Sequence, residues 1–193
     1  MGSSRIPTVN NTYYTDKCTE LEKCIEMNST LQEINIQYTG LKEITCTITG
    51  IIRGVARNKT ITSLTLHLVI YDPPPPLPDG VIEQLLKDNK TLQALSLHID
   101  DVLLPSPLNI VEVNTPLTAL EIGGKGKELM TSLLPHFKGL HCLILHDPYP
   151  PHLLFESHPS LHTLTLLPDT VQLMCLFSIL ETNTTLKALN VKS

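Results

Sequence analysis

Asn89-Lys90-Thr91-Leu92-Gln93-Ala94-Leu95-Ser96-Leu97-His98 is the stretch that decides how this chain folds. Leu95 and Leu97 flank a single residue, the period of two that sends neighbouring side chains to opposite faces of a strand, and Leu92 stands three places ahead. The string returns as Asn58-Lys59-Thr60-Ile61-Thr62-Ser63-Leu64-Thr65-Leu66-His67 and as Asn183-Thr184-Thr185-Leu186-Lys187-Ala188-Leu189-Asn190-Val191. Its apolar skeleton recurs at Leu31-Ile34-Ile36, Leu117-Leu120-Ile122, Leu140-Leu143-Leu145 and Leu161-Leu164-Leu166. The first residues of successive phrases are separated by 30, 31, 25, 23, 21 and 25 positions. Self-similarity near this period marks supersecondary units that cannot bury an apolar face alone and must stack.

Five phrases are preceded by an Asn: Asn28, Asn58, Asn89, Asn114 and Asn183. Asn tolerates the left-handed conformation that ends helices, and the Thr or Pro that follows favours extension, so each reads as a helix stop. Upstream lie segments with helical spacing: Leu21, Cys24 and Ile25; residues 50–58; Val81, Leu85 and Leu86; and Val171, Met174, Leu176, Phe177 and Leu180. Asp79-Gly80 and Asp169-Thr170 offer N-terminal caps. Residues 41–48 alternate as a further strand. Helix, stop, strand predicts an α/β fold with a parallel sheet on one side and helices or loops on the other.

The three Asn-initiated strings resemble the leucine-rich-repeat proteins, and the longer units look most like the ribonuclease-inhibitor-like class at the C-terminal end of NACHT-type (NOD-like) receptors. The resemblance implies a horseshoe solenoid of about seven irregular repeats, a concave strand face that binds protein or peptide, and a ligand-sensing or autoinhibitory role inside cells. The chain departs from the family after the strands. Where an Asn or Cys usually ties the turn, it has Thr39, Val69, Asp100, Lys125, Pro148 and Asp169, which predicts an irregular convex side. Residues 1–18 lack periodicity and are expected to be poorly ordered, leaving 19–193 as one domain. The phrase at Leu186 has nothing after it to cover its layer. A longer array, or self-association through that edge, is the expectation.

With 193 residues, 41% of them hydrophobic, and no Trp, the chain can build one sizeable aliphatic core. A net charge of −5 offers no footprint for nucleic acid or an anionic membrane. No signal sequence or membrane span is legible, and five cysteines without a metal-like pair fit a reducing, cytoplasmic setting; a Cys18–Cys24 bridge is the one pairing the spacing suggests. Asn-x-Ser/Thr sequons at Asn10, Asn28, Asn58, Asn89 and Asn183 leave glycosylation as an alternative, although four coincide with the stops.

The residues between and after the strand leucines form the candidate binding face. One row reads Asn35, Thr65, Ser96, Glu121, Ile144, Thr165, Asn190; the next reads Gln37, His67, His98, Gly123, His146, Leu167, Lys192. Strands about 4.8 Å apart place His67 beside His98, and His141 and His162 pair in the same way at the strand entrance. Adjacent imidazoles can bind a transition metal, which leaves a histidine-centred metal-dependent activity as the lesser alternative, but no carboxylate or Cys shares their row, so neither metal nor cofactor is expected. There is no G-x-S-x-G, H-E-x-x-H or phosphate-loop spacing, and the chain reads as a non-enzyme. Residues 123–127 read as a turn into a helix. Asp72 and the prolines that follow, with Pro75-Pro76-Leu77-Pro78 as their core, read as a polyproline II segment: a rigid crossover or a ligand for a WW-type domain.

Overall fold

The computed structural model describes residues 10–40, 44–70, 75–99, 103–104, 108–123, 132–146, 159–166, 180–181 and 183–191. Every phrase becomes a strand: β1 (Glu33–Gly40), β2 (Ser63–Ile70), β3 (Ala94–His98), β4 (Ala119–Gly123), β5 (Cys142–Leu145), β6 (Thr163–Leu166) and β7 (Ala188–Val191). They form one sheet in chain order, each strand parallel to the next. Register follows the phrase, so that Ile34, Leu64, Leu95, Leu120, Leu143, Leu164 and Leu189 run across the sheet as one row. β1 and β2 continue past the third apolar residue because Tyr38-Thr39 and Leu68-Val69 preserve the alternation and suit a pleated surface.

Three helices precede the first three strands: α1 (Asn10–Met27), α2 (Thr45–Arg57) and α3 (Val81–Asp88). α1 begins before the boundary expected at residue 19, taking in residues 10–18. The strand expected over residues 41–48, of which 41–43 lie outside the described residues, is corrected from 44 on by α2: Ile44 precedes its first turn and Thr45 to Ile48 are helical. Ile44, Cys46 and Ile48 keep a period of two while Thr45, Ile48 and Ile52 recur at three and four, so both periods fit this segment, and packing chooses the one that buries Ile48, Ile51, Ile52 and Val55 together. Gly80, at φ 78°, precedes α3 with no side-chain cap, so Asp79 does not serve as one. The core is the Leu and Ile rows of the sheet with the inner faces of α2 and α3. Each fully buried Leu or Ile contributes roughly 1.5–3 kcal/mol.

α1 lies on the backbone of α2. A Cβ at Gly50 would stand 2.7 Å from the Cys18 carbonyl oxygen, and one at Gly54 would stand 2.8 Å from both Glu22 O and Ile25 Cβ. That approach brings Cys18 and Cys46 together as a disulfide, Cα to Cα 6.0 Å, while Cys24 is exposed. The Cys18–Cys24 pairing is therefore corrected, and so is the reading of all cysteines as thiols: the contact is made between helices, not within one. Arg57 of α2 bonds Glu22 and Glu26 of α1, and its hydrogen bond to Glu22 foremost raises its pKa.

The stops work differently from expectation. Asn58 and Asn89 are extended, with ψ of 149° and 134°, and no residue other than glycine has positive φ among those described. Asn58 Oδ1 accepts from the Thr60 and Ile61 N–H groups, while its Nδ2 donates to Ile25 O and Asn28 O of the preceding unit. Asn89 repeats this with Thr91, Leu92 and Val55 O. Asn28 and Asn183 make the same turn with the N–H groups two and three residues on. Thr60, Thr91 and Thr185 hydroxyls donate to Leu31, Ile61 and Leu161 carbonyls of the preceding units. Asn114 is the exception. Pro116 has no N–H to give, residues 108–118 hold no helix, and the Asn114 amide bonds Glu112 instead.

The turn expected at 124–127 and most of the helix expected at 171–180 lie outside the described residues, which there show helix only at 180–181.

Candidate functional site

Strand register sets both rows. Asn35, Thr65, Ser96, Glu121, Ile144, Thr165 and Asn190 are aligned partner to partner, and Gln37, His67, His98 and Gly123 follow. His146 comes directly after β5 and donates its backbone N–H to Ile122 O, which holds it beside Gly123. Exposure is uneven: Asn35, Gln37, His67 and Asn190 are open, but Ser96 and Thr165 are buried. Their short side chains sit low between longer neighbours, Ser96 bonded to Glu121 and Thr165 to Asn190. Thr65, Ser96, Glu121, Cys142 and Ile144 line a shallow depression on this face.

The two rows meet at one point. A Cβ on Gly123 would stand 2.4 Å from His98 Nδ1 and 3.1 Å from His146 Cγ, so the missing side chain is the space into which both rings turn. His67 stacks on His98 with centroids 4.7 Å apart, and His98 meets His146 edge-on at 4.3 Å. Glu121 reaches diagonally from the neighbouring row. Its Oε1 lies 3.3 Å from His98 Nε2 and 2.8 Å from His146 Nε2, and its Oε2 accepts from Ser96 Oγ at 2.9 Å. The histidines' own row holds no carboxylate, but one joins them from the next row, so the conclusion drawn from that row alone is corrected: residues two apart share a face, and a glutamate is long enough to cross between rows.

Burial pushes the His98 imidazole below its ordinary 6.5, with His146 adding to the effect against the pull of Glu121. Burial works in the opposite sense on Glu121, but hydrogen bonds from His146 and Ser96, with His98 nearby, hold it below its ordinary 4.5. Near neutral pH the centre is therefore an anionic carboxylate beside a neutral His98. The Cys142 thiol rises above its ordinary 9.0, from burial first and the Glu121 charge second. His141 and His162 stack as their spacing predicts, centroids 5.2 Å apart.

The proline segment is placed differently. Leu77 is 2% exposed, its N–H bonded to Leu103 O, and Thr45 Oγ1 donates to Pro75 O. Among the described residues of the segment Pro75, Pro76 and Pro78 face outward, while the Leu77 side chain of the WW-like core is buried in the protein's own interior. Of the sequons, Asn58 and Asn89 are buried with both amide ends engaged, which leaves no room for a glycan. No helix among the described residues is long and apolar enough to cross a membrane. No protein-family model and no curated protein matches the chain.

Proposed function

We propose that the chain is a noncatalytic interaction module, a leucine-rich-repeat solenoid whose concave face is the sheet surface carrying the Asn35 and Gln37 rows. The observation that carries this reading is the uninterrupted register of the Asn35 row over seven parallel strands, with the Gln37 row aligned beside it from β1 to β4. The partner is a protein segment rich in hydrogen-bonding groups, for the face holds imidazoles, hydroxyls, amides and the Glu33 and Glu121 carboxylates. It has no aromatic or Arg anchor of the kind that dominates tight interfaces, which favours modest affinity. Proximity labelling in cells, with the full chain and a His67→Ala/His98→Ala/Glu121→Ala variant, tests it. A protein recovered with the first and lost with the second supports the module; equal recovery by both removes this face.

Within that reading the resemblance favours the ligand-sensing or autoinhibitory region of an intracellular NOD-like receptor. A cytoplasmic setting requires Cys18 and Cys46 to be thiols in cells, against the bond between them described above. Alkylation at lysis followed by mass spectrometry distinguishes the two. A reduced pair supports the intracellular assignment, and an oxidised pair moves the module to an oxidising compartment.

A further inference from the structure

The His98–Glu121–His146 cluster has the composition and compactness of a ligand set. One donor atom from each residue lies within 4.8 Å of the others, and no second group of three His, Cys, Asp or Glu does so among the described residues. A tetrahedral ion with bonds of about 2.0–2.2 Å sets its ligand atoms roughly 3.3–3.6 Å apart. The two imidazole-to-carboxylate separations, 3.3 and 2.8 Å, are close to that edge, so small side-chain rotations open the triangle around an ion.

We propose that His98, Glu121 and His146 bind one divalent transition-metal ion of the zinc type, leaving a coordination position open on the outer face of the sheet. Two imidazoles and one carboxylate suit zinc and its neighbours, whereas magnesium and calcium favour oxygen donors alone. The ligands are held from behind. Ser96 Oγ fixes the second Glu121 oxygen, His67 stacks on the His98 ring, and Gly123 leaves the room the two rings need. Side-chain exposures of 15%, 31% and 29% for His98, Glu121 and His146 leave the centre reachable by an ion and by a fourth ligand, water or a donor from a partner. The site does not depend on the interaction reading above, and metal binding is measured directly.

The test is titration of the chelator-stripped full chain at pH 7.5 with Zn²⁺ against a fluorescent chelator, and with Co²⁺ by visible absorption. One equivalent is expected per chain, with the cobalt bands of a four-coordinate ion. His98→Ala, His146→Ala and Glu121→Gln are each expected to weaken binding about tenfold or more, while His141→Ala/His162→Ala leaves it unchanged. Because a variant can lose its fold, the wild-type chain is also followed by NMR of its imidazoles, where Zn²⁺ is expected to shift His98 and His146 and spare His141 and His162. Binding absent from the wild type, insensitive to the three substitutions, or centred on other imidazoles overturns the proposal.

Discussion

Asn89 shows how much a single side chain does when it lies between units. It is fully buried, and its amide serves the N–H groups of Thr91 and Leu92 on one side and the Val55 carbonyl on the other. Asn89→Ala orphans buried groups on both sides of the contact, each costing about 1–3 kcal/mol. Urea unfolding should show a loss of about 3 kcal/mol, against about 1 kcal/mol or less for Asn28→Ala at an exposed position. The sequence shows where these residues stand but not their backbone, because a left-handed stop and an extended one carry the same Asn-x-Thr signature. At the depression, Cys142 is the residue the sequence reading passed over, since its strand-entrance position looks like an ordinary small hydrophobe. Alkylation consumes the thiolate, so a thiol raised above its ordinary 9.0 reacts slowly at pH 8, and its rate climbs with pH until the thiol is ionised. Timed alkylation with mass spectrometry should find Cys142 lagging behind exposed Cys24, with Glu121→Gln accelerating it.

At the scale of elements, the α1–α2 pair has the densest set of cross-links. Gly50 and Gly54 admit α1 to the α2 backbone, Arg57 spans to Glu22 and Glu26, and Cys18–Cys46 closes a loop with a sequence separation of 28. Loop-closure entropy over that length corresponds to about 3–4 kcal/mol. Cys18→Ser should lower unfolding stability by roughly that amount under oxidising conditions, and the difference should vanish when the wild type is measured with reductant. The strands were legible because a period of two repeated seven times is hard to produce otherwise. α2 was not fully legible: its first turn reads equally as alternation, and only the tertiary contact that buries Ile48 and Ile52 decides between them. The His–Glu centre was half legible. The histidine row follows from spacing, while the Glu121 contribution depends on a diagonal across strands that a row-by-row reading hides.

For the whole molecule, burial is complete at the strands inside the sheet and falls off at its edges. Leu64, Leu66, Leu92 and Leu97 are sealed, whereas Leu186 and Leu189 are half-buried and Val191 is 53% exposed. Amide exchange should accordingly be slowest in β2 and β3 and fastest in β7, read peptide by peptide; uniform protection across the sheet would contradict this gradient.

The interruption at Asn114 adds a mechanical consequence. From Asn28 through Asn58 to Asn89, Asn side-chain amides rivet one unit to the next, and Asn114 breaks that series. Stretched between its two ends, the chain should not yield evenly. The strands beyond β3 are expected to peel away at low load in steps of roughly 80 Å, about the extended length of 25 residues. The disulfide-bolted block from α1 to β3 then holds until a higher load, a fuse wired in series ahead of a clamp.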